Sequence, residues 1–281
     1  MNPHFFGDSR APLFGVHHPA RARGDKRAAV LLCPPIGHEY IRTHWAMRML
    51  AAQLARQGHH VLRFDYRGVG DSSGTLSEVT QLATWVEDVR RAATDLADES
   101  SIEELYIVGL RFGAAVASLA IAEGLPVTHA VYWEPIWSGE EYLADLRVLH
   151  ATMLDLWVCP MTTVDDDQHE EILGSVYTRS LLSEIQEYDL TFAAEQSPLA
   201  PTLVTGKSAL QTLPGSQMVI HDEPGDWHDL AMIETAWLPS GSLGLIADVL
   251  QQPEPVSGQI PVAPIIMPVV PGSERGTGAE S

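Results

Sequence analysis

The sequence predicts an α/β protein: a doubly wound, mostly parallel sheet of roughly eight strands with a helical insertion laid over it. Three observations predict it. Strand-like runs alternate with helical stripes through residues 28–135. The runs at 28–35 and 105–110 are apolar throughout, as strands covered on both faces are. Loops that follow the strands are rich in Gly and polar residues, and ligands of open α/β sheets sit beyond those carboxyl ends.

Residues 1–11 read as a loose lead-in, and PLFGVHHPA (12–20) has strand character. AAVLLCPP (28–35) is an apolar strand stopped by two prolines. Ala46, Met49, Leu50 and Leu54 then recur at helical spacing, and Gly58 ends that helix. HHVLRFDYRG (59–68) is the next strand. Val79, Leu82, Val86, Val89, Ala93 and Leu96 mark a second helical stripe. The strand LYIVGL (105–110), the helix FGAAVASLAIAEG (112–124) and the strand THAVYWEP (128–135) complete a β-α-β-α-β-α-β order. That order implies parallel strands joined by right-handed crossovers. Residues 139–200 break the rhythm; they are read as a helical, acidic cap, with DDDQHEE (165–171) a solvated face. TLVTG (202–206) and SQMVIHDEP (216–224) return to strand, and SLGLIADVLQQ (242–252) closes as a helix. The core is thus expected from 1–138 and 201–252. Residues 253–281, rich in Pro, Gly, Ser and acid, are expected to be disordered.

Composition excludes several function classes. Of 281 residues, 17 are Lys or Arg and 37 are Asp or Glu, a net charge of −20. Nucleic-acid and anionic-membrane surfaces need clustered positive charge, so neither partner is expected. Two cysteines, Cys33 and Cys159, make no disulfide framework or metal knuckle, which fits a reducing, cytoplasmic setting. No basic-then-apolar leader opens the chain, and no run is long enough to span a bilayer.

Three loops concentrate the chemistry: Cys33-Pro34-Pro35-Ile36-Gly37-His38-Glu39-Tyr40, then Asp65-Tyr66-Arg67-Gly68-Val69-Gly70-Asp71-Ser72-Ser73-Gly74, then Gly109-Leu110-Arg111-Phe112-Gly113-Ala114. In this order they resemble the α/β-hydrolase fold, in its serine-aminopeptidase-like branch. LLCPPIGHEYIRTHWAMRMLAAQLARQGHHVLRFDYRGVGDSSG and YWEPIWSGEEYL resemble the exosortase A system-associated hydrolases, which implies a cell-envelope or exopolysaccharide export setting. The resemblance further implies a nucleophile elbow after 105–110, framed by Gly109 and Gly113. It implies an oxyanion hole from backbone amides near Ile36, Gly37 and Phe112, and a histidine at His228. An acid one strand earlier than usual would be Glu134.

The elbow departs from G-x-S-x-G: its central position holds Arg111. A guanidinium is always charged and serves as neither nucleophile nor general base near neutrality. In serine proteases, loss of the nucleophile costs about a millionfold in turnover, roughly 8 kcal/mol. Acyl-enzyme chemistry through position 111 is therefore excluded. A half-buried guanidinium also demands an anion. Either an internal carboxylate, Glu134 or Asp222, plugs the pocket, or a ligand carboxylate or phosphate is held there.

His228 serves as a pocket wall or, with Glu134 fixing its tautomer, as a base on water. A displaced nucleophile among Ser72, Ser73, Ser138 and Ser208 lacks an elbow. The cluster His221, Asp222, Asp226, His228 and Asp229 matches no metal motif and reads as turn chemistry around Pro224-Gly225, so neither metal nor cofactor is expected. Trp133, Trp137, Trp157, Trp227 and Trp237 line a ligand cavity or fill core. The resulting expectation is a pseudo-hydrolase that binds an anionic or acyl small molecule, with a partner protein or homodimer as the further association. The alternative is an enzyme using His228 without a serine.

Overall fold

The computed structural model describes residues 1–21, 28–102, 104–156, 162–207, 211–223, 225–233 and 235–251. Cys159, Trp157, Ser208, Pro224 and the carboxyl-terminal segment lie outside them.

An eight-stranded sheet runs β1 (Asn2–Asp8), β2 (Ala11–His18), β4 (His60–Phe64), β3 (Ala29–Cys33), β5 (Leu105–Leu110), β6 (His129–Trp133), β9 (Thr202–Gly206), β10 (Gln217–His221) in spatial order. The strands from β4 to β10 are mutually parallel; β1 and β2 form an antiparallel hairpin on the β4 edge. Residues 2–8 are therefore a strand and not a loose lead-in. They lack a clear pattern because an edge strand is mostly exposed, and Phe6 alone is buried along β1.

Helices α1 (Gly37–Arg56) and α7 (Ser240–Gln251) cover one face of the sheet. Helices α2 (Leu82–Ser100) and α3 (Phe112–Ala122) cover the other. β3 and β5 are buried along their whole length, which explains their unbroken apolar runs. Strand order reverses between β3 and β5, with Cys33 opposite Gly109. The loops leaving these two strands start α1 and α3, so the switch-point crevice is walled by the residues at 34–39 and 111–114.

Between β6 and β9 the chain forms α4 (Gly139–Leu156), the hairpin β7 (His169–Ile172) and β8 (Ser175–Thr178), α5 (Arg179–Gln186) and α6 (Leu190–Glu195). The insertion is helical as read from sequence in α4, α5 and α6, and it also carries a hairpin that the sequence reading did not include. Leu173 and Gly174 both have positive φ (50° and 78°), as a two-residue primed turn requires. The acidic run also is not simply a solvated face. Glu170 takes Arg147 at 2.6 Å, and Arg179 pairs with Asp165. No helix among the described residues is long and apolar enough to cross a membrane.

Candidate active site at the β5 elbow

Arg111 stands between β5 and α3 with φ 53° and ψ −122°. A non-glycine residue in that region stores about 1–3 kcal/mol of strain, a feature of sharp strand-to-helix corners. The flanking glycines make the corner possible. A Cβ on Gly109 would lie 2.5 Å from the Ala114 Cα, and one on Gly113 would collide with the Cys33 carbonyl. Phe112 opens α3, and Ile36 and Gly37 open α1 beside it. Tyr177 of β8 presses its hydroxyl against Gly37, where a Cβ would not fit.

The anion that meets Arg111 is neither Glu134 nor Asp222. It is Glu39, on the first turn of α1. Arg111 Nε donates to Glu39 Oε1 at 2.9 Å, and Nη2 lies 2.9 Å from the same oxygen. The Glu39 side chain is 1% exposed and that of Arg111 11%. The Tyr142 hydroxyl, from α4, donates to the other carboxylate oxygen at 3.3 Å. Arg111 touches Glu134 only through the backbone carbonyl, at 3.5 Å. Asp222 instead pairs with Lys207 at 2.5 Å. The Trp227 ring lies 4.8 Å from the Arg111 guanidinium and 5.2 Å from that of Arg42. Arg42 is buried and donates to the Asp226 carbonyl at 2.8 Å, fastening the loop after β10 to α1.

Glu134 follows β6 with φ 45° and accepts from the Gly206 amide at 2.9 Å. Its imidazole partner is His221, at the end of β10, with Nε2 2.8 Å from Glu134 Oε1. His228 does not reach Glu134; it is 62% exposed and lies 3.1 Å from Asp145. Six residues separate the two histidines, and β10 ends at His221, so the loop carries His228 outward. Burial works against the His221 imidazolium, but the charge of Glu134 at 2.8 Å, joined by Glu223, raises its pKa above the ordinary value.

Arg111, Glu134, Trp137, His221, Asp226 and Trp227 are among the residues that wall an open cleft of about 700 Å³. Trp133 and Trp237 are core instead, their rings tilted against each other with centroids 5.1 Å apart. The Ser72 hydroxyl is committed to the Asp65 carbonyl and the Phe14 amide, so it is no stray nucleophile. Among the described residues, no group of three or more His, Cys, Asp or Glu side chains converges as a metal site. Glu39, Tyr142, Arg42 and His221 were not assigned to this site from sequence. Glu39 stood in plain view in the first loop, and only its approach to Arg111 across the switch point reveals its part.

No curated protein matches the chain in sequence. Among solved structures, Est1E from Butyrivibrio proteoclasticus with bound ferulic acid matches at 16% identity and TM-score 0.59, over 89% of this chain and 96% of that one. Proline iminopeptidase from Mycobacterium smegmatis matches at 12% identity and TM-score 0.62, over 89% and 98%. An esterase from Pyrococcus furiosus matches at 14% identity and TM-score 0.57, over 89% and 90%. At such identities the likeness is one of fold, the α/β-hydrolase fold. The sequence itself matches the serine aminopeptidase (S33) family over residues 24–189, more than half the chain, and the chain belongs to that family of α/β-hydrolases.

Proposed function

We propose that this chain is a pseudo-hydrolase, which binds a small acyl-bearing molecule in the inherited cleft and does not form an acyl-enzyme. One observation carries the reading: the elbow position holds a guanidinium locked to a buried carboxylate, where acyl transfer needs a hydroxyl or thiol. Segment 139–200 acts in this reading as the cap, and its Tyr142 completes the lock. The cleft wall favours an uncharged acyl group over an anion. Arg111 is already neutralised by Glu39 and Lys207 by Asp222, while Glu134, Glu223, Asp226 and Asp229 add negative charge. Trp137 and Trp227 offer the apolar contact. The similarity to exosortase A system-associated hydrolases supports a role beside an enzyme of envelope polysaccharide export.

A fluorophosphonate probe tests the reading: no labelling of the native chain is expected, while neutral acyl esters or amides quench or shift tryptophan emission in a saturable way. Stoichiometric labelling overturns it. The Glu134–His221 contact supports a second reading, water activation by that imidazole. Turnover of p-nitrophenyl esters that falls at least tenfold in His221→Ala would establish it in place of the first.

A further inference from the structure

Helix α1 turns an apolar stripe outward as well as inward. Ile41, Trp45 and Met49 are 74%, 43% and 41% exposed, and their four-residue spacing aligns them along one side. Leu238, 56% exposed, extends the patch, since the neighbouring Trp237 amide donates to the Arg42 carbonyl of the same helix. The stripe is edged with positive charge: the Arg48 guanidinium lies 4.8 Å from the Trp45 ring, and Arg56 closes the helix. In a chain of net charge −20 such an edge is uncommon ground.

We propose that this stripe is the docking site of the chain's own residues 260–270, IPVAPIIMPVV. Pro261, Pro264 and Pro268 deny that run a helix or a central strand, so its apolar side chains need a ready-made surface. Extended as a polyproline helix, the run spans about 34 Å. Helix α1 is about 30 Å long. The tether fits: α7 packs against α1 and ends at Gln251, and residues 252–259 reach at most about 27 Å. Charge agrees on the amino side of the run, where Glu254 precedes it. Proline-rich segments bind aromatic-lined surfaces in this manner, with little ordering cost.

The full-length chain carrying p-benzoylphenylalanine in place of Trp45 tests the proposal. Irradiation is expected to give intramolecular cross-links to residues 260–270, independent of protein concentration and lost in Ile265→Asp/Ile266→Asp. Cross-links between two chains that grow with concentration would show a second copy on the stripe and overturn the proposal. So would cross-links that avoid residues 260–270. A second measurement guards against a misfolded variant: in otherwise native chains, Ile265→Asp/Ile266→Asp must raise the acrylamide quenching attributable to Trp45, taken as the difference from Trp45→Phe. Unchanged quenching also overturns it.

Discussion

Arg111 and Glu39 meet at 2.9 Å across the switch point of the sheet, one at the corner after β5 and the other on the first turn of α1. The pair joins the two loops that a hydrolase of this fold uses for nucleophile and oxyanion. Tyr142 ties the insertion to the same carboxylate.

Because both members are buried, neither is replaceable alone. Arg111→Met leaves a bare carboxylate and Glu39→Gln a bare guanidinium, and each is expected to lose about 3–5 kcal/mol. The double variant Arg111→Met/Glu39→Leu removes both charges together. It is expected to lie far closer to wild type than the sum of the single changes, less about 1 kcal/mol for the orphaned Tyr142 hydroxyl. Urea denaturation of the four proteins closes the cycle, and additive losses would show that the pair is not coupled.

The same pair predicts that a serine at position 111 alone is not enough. Arg111→Ser alone places a hydroxyl beside an uncompensated Glu39. Arg111→Ser/Glu39→Gln removes that charge, with Glu134 and His221 already in contact at 2.8 Å. The double variant is expected to react with fluorophosphonates and to hydrolyse p-nitrophenyl acetate on the order of 10²-fold faster than wild type, the range general-base assistance supplies. An inert double variant would show that His221 is not oriented toward the corner.

Patterns set by local physics were legible in the sequence. The buried runs of β3 and β5, the stripe of α2 and the glycine frame at 109 and 113 each leave a mark within a few residues, and Arg111 stood out against that frame. Pairings made across the sheet left none. Glu39 reaches Arg111 because β3 and β5 are neighbours, a fact of topology. The histidine beside Glu134 depends on where β10 stops. With register fixed by His221 opposite Gly206, the strand ends seven residues before His228. The hairpin of β7 and β8 was hidden because strands of four residues are too short for alternation to show.

Backbone crowding at the corner gives a sharp contrast between two glycines. Gly113→Ala drives a methyl group into the Cys33 carbonyl of the adjacent strand, where neither backbone can yield. A loss of about 3 kcal/mol or more, or failure to accumulate folded, is expected. Gly124 has open space around it and only a positive φ of 93° to object, so Gly124→Ala is expected to cost about 1 kcal/mol. Equal melting temperatures for the two variants would contradict the contact at Gly113.

The Glu134–His221 contact also sets a pH window. The folded chain holds the His221 proton more tightly than an unfolded chain does, since its pKa is raised above 6.5. Its contribution to stability is fully present below pH 6.5 and fades as pH rises through the folded value. His18 acts in the opposite sense. Burial and Arg63 pull it down to about 4, so it favours the folded state increasingly as pH rises from about 4 to 6.5. His4, raised through Asp95, fades in the same range as His221, so the raw profile mixes sites and a difference is needed. Subtracting the profile of His221→Gln from that of wild type is expected to leave a term that falls only above pH 6.5. Glu134→Gln is expected to remove most of that term and to lower the His221 ring-proton titration midpoint measured by NMR. A midpoint unmoved by Glu134→Gln would mean that the carboxylate does not hold the imidazolium, and the second reading of the site would lose the partner of its base.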